Sequence, residues 1–137
     1  TSTFPYVKES SLEEIKTKSD IISFHLPLTK ETRHLADKSF IERCKRGVIL
    51  VNTSRGQVVN TNDLIDGLES GQIGGACLDV FENEKTNTFT PNEHQLYDQL
   101  YTFENVVLSP HVAGWTVESK QRLAEVLLKK ILTYHTA

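Results

Sequence analysis

Val48-Ile49-Leu50-Val51-Asn52-Thr53-Ser54-Arg55-Gly56 runs an unbroken apolar stretch into a small polar turn that carries one arginine. Apolar residues without alternation are the pattern of a strand buried in a parallel sheet. In open α/β sheets ligands gather outside the carboxyl ends of the strands. Arg55 is therefore expected at a binding rim, where a planar guanidinium can grip a carboxylate or phosphate through two parallel hydrogen bonds.

Helix-like and strand-like segments alternate on both sides of this stretch. Ser10-Ser11-Leu12-Glu13-Glu14 is a helix start, with a hydroxyl cap and acids in the first turn. Asp20 to Leu26 is a strand that Pro27 stops. Lys38 to Lys45 is a short helix with Phe40, Ile41 and Cys44 on one face, ended by Gly47. Thr61 to Glu69 is a capped helix closed by Gly71. Gly75 to Val80 and Asn105 to Ser109 are the third and fourth strands, the last stopped by Pro110. Thr116 caps a long helix in which Leu123, Val126, Leu127, Leu128 and Ile131 recur at helical spacing. This alternation predicts parallel strands joined by crossovers, an α/β doubly wound sheet. Asn83 to Gln99 stands apart: it is polar, holds Pro91 and several Asn and Thr, and is expected to be a surface excursion.

The bulk numbers set bounds. A chain of 137 residues, 38% hydrophobic and 24% charged, suits one globular domain. A net charge of −3 gives no reason to expect a nucleic-acid partner or an anionic membrane. No apolar run approaches the roughly 20 residues that span a bilayer. Thr1-Ser2-Thr3-Phe4-Pro5 lacks the basic and apolar regions of a signal peptide. The absence of Met suggests a piece of a longer product. Cys44 and Cys77 fit no metal spacing and are expected as core fillers, which favours a reducing, cytoplasmic setting and no metal site.

Three charged positions fall just beyond strand ends: Arg55, the acids from Asp79 to Glu84, and His111 after Ser109-Pro110. If the strands are parallel neighbours, all three loops open on one edge. Together they have a chemical logic. Arginine holds an anionic substrate, histidine exchanges a proton near neutrality, and the acid fixes the histidine tautomer. Taken singly, each has a plainer explanation. His111 alone is an ordinary loop histidine, and Arg55 alone is equally a turn salt bridge. Glu82 and Glu84 alone are solvated, and His25, His34, His94 and His135 fall to structural or surface roles. The shared rim is what raises the trio above these explanations.

Ser23-Phe24-His25-Leu26-Pro27-Leu28-Thr29, Val51-Asn52-Thr53-Ser54-Arg55-Gly56, Leu78-Asp79-Val80-Phe81-Glu82 and Ser109-Pro110-His111-Val112-Ala113-Gly114 together resemble the D-isomer-specific 2-hydroxyacid dehydrogenases, in that family's order. That family includes D-lactate, phosphoglycerate and glycerate dehydrogenases. The resemblance implies that Arg55 binds the substrate carboxylate and polarises the keto oxygen. His111 would be the acid/base catalyst. Glu84, 29 positions after Arg55, would be its partner. Asp79 would meet the nicotinamide amide. Thr53, Ser54, Arg55, His111 and Gly114 would line the cofactor, and His25 and Pro27 would run along it.

The implied cofactor is NAD, the implied substrate a small 2-keto or 2-hydroxy acid, and the implied full-length protein a homodimer. Residues 1–115 would be the back portion of the dinucleotide-binding domain and 116–137 a C-terminal helix. No G-x-G-x-x-G occurs in the chain, so the first βαβ half is expected upstream, and residues 1–137 alone are expected to be inactive. Two features depart from the family pattern: Lys85 follows Glu84 in place of the usual Pro, and the stretch before the fourth strand is long. Trp115 matches neither the D-lactate nor the phosphoglycerate and glyoxylate types, which leaves the substrate open. A dinucleotide-sensing corepressor of the same fold is the alternative. Formate dehydrogenase, in which Gln usually replaces the acid partner, is disfavoured by Glu84.

Overall fold

The computed structural model describes residues 6–135. Thr1 to Pro5, the stretch whose sequence lacks a signal-peptide pattern, lie outside them. The elements are α1 (Leu12–Lys18), β1 (Ile21–Phe24), α2 (Lys38–Arg43), β2 (Val48–Asn52), α3 (Thr61–Glu69), β3 (Ile73–Leu78), α4 (Pro91–Tyr101), β4 (Val106–Leu108) and α5 (Val117–His135). Short 3-10 turns cover Gly56–Val58 and Thr86–Thr88.

The helix starts follow from side-chain caps. Ser11 accepts from the Glu14 N–H, Asp37 from the Phe40 N–H and Asn60 from the Asp63 N–H. α3 closes as expected, with Gly71 in the left-handed region just past Ser70. α2 stops at Arg43, earlier than the glycine signal suggested. The reason is Gln72, whose amide donates to the Ile41 and Cys44 carbonyls and so satisfies the end of the helix. Gly47, at φ +79°, turns the chain into β2 instead.

The sheet is parallel throughout, in the order β1-β2-β3-β4. The register pairs Phe24 with Asn52, Asn52 with Leu78 and Leu78 with Leu108, so the carboxyl ends stand level. The loops bearing Arg55, Asp79 to Glu84, and His111 therefore leave the same edge, as the sequence predicts. Ile22, Leu50 and Ala76 share the covered face, against Phe40 and Ile41 of α2 and Leu64, Ile65 and Leu68 of α3. Fully burying each of the leucine, isoleucine and phenylalanine side chains among them stabilises by about 1.5–3 kcal/mol. The alternate residues Ile21, Ile49 and Val107 are exposed on the other face.

The expectation of a surface excursion over Asn83–Gln99 is corrected. Its second half begins α4, which packs on α3. Thr90 and Glu93 form a capping box, and Pro91 occupies the first turn, where its missing N–H is not needed. Tyr97 and Leu100 point inward and are buried. Phe89 stacks on Tyr97 with ring centroids 4.9 Å apart, and Phe81 meets it edge-on at 5.8 Å. The apolar stripe is too narrow to stand out as a period among so many polar residues. Thr116 caps α5 by accepting from the Ser119 N–H at 3.0 Å. Over residues 117–134 only Ser119 is half-buried; Leu123, Leu127 and Leu128 are exposed. No described helix is long and apolar enough to cross a membrane.

Candidate active site

The turn that presents Arg55 is built by Asn52. This side chain is 1% exposed, and every polar atom in it is engaged. Its Oδ1 accepts from the Ser54 N–H (3.1 Å) and hydroxyl (2.9 Å), and its Nδ2 donates to the Arg55 carbonyl (3.0 Å). Its carbonyl accepts from the Asp79 N–H at 2.9 Å, which ties the β2 turn to the next strand. Arg55 donates through Nη1 to the Ser54 carbonyl at 2.6 Å, and no carboxylate among the described residues pairs with it. Gly56 lies against the following loop. A Cβ there would stand 1.9 Å from the Phe81 carbonyl carbon, so only glycine lets the two backbones meet.

Beyond Asp79, the loop after β3 holds two acids with different tasks. Glu84 Oε2 lies 2.9 Å from His111 Nδ1, both side chains being partly exposed. Glu82, expected to be solvated, is not. One of its oxygens lies 2.7 Å from His34 Nε2 and the other accepts from the Thr61 N–H at 2.7 Å. Tyr97 holds the same loop from below, its hydroxyl accepting from the Asn83 N–H at 3.1 Å.

His111 itself sits at φ +56°, a conformation that L side chains rarely adopt. Asp79 supports it. This carboxylate is 3% exposed and accepts from the Ser109 hydroxyl (2.5 Å), the Val112 N–H (2.8 Å) and the Ala113 N–H (2.9 Å). Burial pushes the Asp79 carboxyl up. The hydrogen bonds from Ser109, Ala113 and Val112, with the nearby His111, outweigh burial and hold it below its ordinary value. The resemblance assigns Asp79 to the nicotinamide amide, whereas here both oxygens are engaged by the His111 loop.

Arg55, Glu84 and His111 line one open cleft of about 830 Å³, with Gly56, Phe81 and Glu82. The other predicted positions stand around it. His25 is exposed and bonded to the Ser23 hydroxyl at 2.8 Å, and the Pro27 carbonyl accepts from the Thr32 hydroxyl at 2.7 Å. Thr53 and Ser54 belong to the Asn52 turn, and Gly114 follows the His111 loop. None of these five lines the cleft; Leu28, next to Pro27, does. His94 meets the Phe89 ring edge-on at 5.3 Å, while the His135 side chain lies outside the description. No group of His, Cys, Asp or Glu among the described residues could hold a metal. Asn52, Gly56 and Tyr97 have no site role in the sequence reading, and Glu82 has only a solvated one. Only Asn52, a polar residue closing an apolar run, carried a usable signal.

Known proteins resemble this chain along most of its length. A glyoxylate reductase of Thermofilum pendens is 42% identical over 128 residues, 93% of this chain and 35% of that protein. A D-lactate dehydrogenase of Staphylococcus aureus is 42% identical over 123 residues, 86% of this chain and 37% of that one. The structure of D-lactate dehydrogenase from Aquifex aeolicus complexed with NAD and lactic acid superposes with a TM-score of 0.75 at 35% identity, covering 93% of this chain and 40% of that one. This chain thus spans little more than a third of the length of the curated relatives it matches. The profile described as "D-isomer specific 2-hydroxyacid dehydrogenase, NAD binding domain" matches residues 2–113, and the chain belongs to that family.

Proposed function

We propose that the cleft is the substrate side of a D-2-hydroxyacid dehydrogenase, which interconverts a small 2-keto acid, NADH and a proton with the 2-hydroxy acid and NAD+. The observation that carries this reading is the His111–Glu84 pair, 2.9 Å apart, in the same cleft as a carboxylate-free Arg55. Arg55 would take the substrate carboxylate bidentately. His111 would exchange a proton with the 2-oxygen through Nε2, because Nδ1 is turned to Glu84. Glu84 would fix that tautomer and balance the charge of the imidazolium.

The level carboxyl edge of the parallel sheet suits a dinucleotide. Residues Thr53, Ser54 and Gly114 would line the cofactor, and His25 and Pro27 would run along it. When bound, the reduced nicotinamide, NADH, would supply the hydride and leave as NAD+, while the proton would come from His111. The phosphate cradle has no counterpart in residues 1–137, so this chain alone is expected to bind NAD weakly.

The test is NADH oxidation by the full-length protein with glyoxylate, pyruvate, hydroxypyruvate and phosphohydroxypyruvate. Arg55→Lys is expected to raise KM and lower kcat, since the planar fork is lost. His111→Gln is expected to remove nearly all turnover and spare NAD binding. His111→Gln with kcat within about twofold of wild type would refute the proton-transfer role. NAD binding with no turnover of any of the four acids would favour the corepressor-like sensor instead.

A further inference from the structure

Glu82 joins three segments that meet at the rim. Its carboxylate bridges His34 and the first N–H of α3, each at 2.7 Å, with its side chain only 25% exposed. His34 already rides on the turn that follows Arg55, because its N–H donates to the Gln57 carbonyl at 2.7 Å and the Ala36 N–H to the Val58 carbonyl at 3.0 Å. On the other side, the Phe81 backbone lies directly against Gly56. Glu84 comes two residues after Glu82 in the same loop. The carboxylate therefore spans from the turn that carries Arg55 to the loop that carries the partner of His111.

We propose that Glu82 is a positioning residue: braced by His34 and Thr61, it sets the separation between the Arg55 guanidinium and the Glu84–His111 pair. The proposal rests on the dehydrogenase reading above, since that separation matters only when one 2-oxo acid bridges both groups. Such a substrate has its carboxylate and its reacting oxygen on adjacent carbons, so it cannot stretch to follow a displaced loop. A misplacement of about 1 Å in a reacting pair lowers rates by about 100-fold. A helix cap alone would give Glu82 a different signature, because losing the Thr61 contact would weaken the fold and leave the chemistry unchanged.

His34→Asn separates these roles. Asparagine tolerates the left-handed backbone at φ +51°, is too short to reach Glu82, and leaves the Thr61 contact in place. The experiment uses the full-length protein, with steady-state kinetics for pyruvate or glyoxylate, the dissociation constant of NADH by fluorescence, and thermal melting. His34→Asn is expected to lower kcat/KM for the 2-oxo acid about tenfold, with NADH affinity within twofold of wild type. Glu82→Ala is expected to lower kcat/KM about 100-fold. If Glu82→Ala does not fold, His34→Asn decides. A folded His34→Asn protein with kcat/KM within twofold of wild type overturns the proposal. A wild type that reduces no 2-oxo acid defeats the dehydrogenase reading and this proposal together, whereas an active wild type with an indifferent His34→Asn defeats this proposal alone.

Discussion

His111 Nδ1 stands 2.9 Å from Glu84 Oε2 across 27 residues of sequence. The contact leaves Nε2 as the ring nitrogen free for a ligand in the cleft, which is what a proton carrier oriented by a carboxylate requires. Replacing Glu84 with Gln keeps a hydrogen-bonding group but removes the charge that balances an imidazolium. Glu84→Gln is expected to lower kcat by about 100-fold while KM for the 2-oxo acid stays within a few-fold. Steady-state kinetics on the full-length protein check this; a change confined to KM would count against the pairing.

Asp79 links the site to stability. Its folded pKa is depressed, so the stability it contributes is present above the unfolded pKa and is lost as pH falls through the folded value. Charge-assisted hydrogen bonds of this kind are worth about 2 kcal/mol. Asp79→Asn should therefore lower unfolding stability by about 2 kcal/mol at pH 7. The gap from wild type should narrow once pH drops below about 4. Urea midpoints at several pH values test the sign, and a gap that widens in acid would contradict it.

Gly56→Ala probes the contact between the Arg55 turn and the Phe81 loop. The added Cβ would lie 1.9 Å from the carbonyl carbon and oxygen of Phe81, which are backbone atoms and cannot swing aside. The two loops must separate. We expect soluble protein with a lower melting temperature and at least a tenfold loss in kcat/KM, in line with loops displaced by about 1 Å. Wild-type kinetics in this variant would show that the close approach is dispensable.

Cys44 offers a chemical check on the core. Burial pushes its thiol up to about 11, the nearby Lys16 opposing only in part. At pH 8 only about one thiol in a thousand is then ionised, and the side chain is 6% exposed. Iodoacetamide at pH 8 should leave Cys44 unmodified in the native protein and alkylate it after urea denaturation, read by peptide mass. Rapid native labelling would mean that the α2 face is open.

Local patterns carried much of the architecture. The apolar run Val48–Val51 is a strand, the hydroxyl cap at Ser11 starts a helix, and the level parallel edge follows from alternating elements; the helix read from Thr61 is there, but its cap is Asn60, one residue earlier. α4 is not legible in the sequence because its buried face rests on Tyr97 and Leu100, two inward residues that mean nothing until α3 and Phe89 supply the other wall. Hydrophobic periodicity records how much of a helix is buried, and a narrow stripe leaves almost no period.

At the rim the division is sharper. The sequence by itself placed Arg55, the acids from Asp79 to Glu84 and His111 just beyond strand ends, because residue type and distance from an apolar run are local properties; Glu84 stands out among the acids only through the family resemblance. Tertiary structure alone decided what Glu82 and Asp79 do. Glu82 and Glu84 are two residues apart in one loop, yet one faces His34 and Thr61 and the other faces His111. Asp79, adjacent to β3, is turned inward to hold the loop on which His111 sits. A carboxylate's role depends on which donors surround it, and these donors come from segments 21 to 48 residues away, brought within 3 Å only by the packing of the sheet edge.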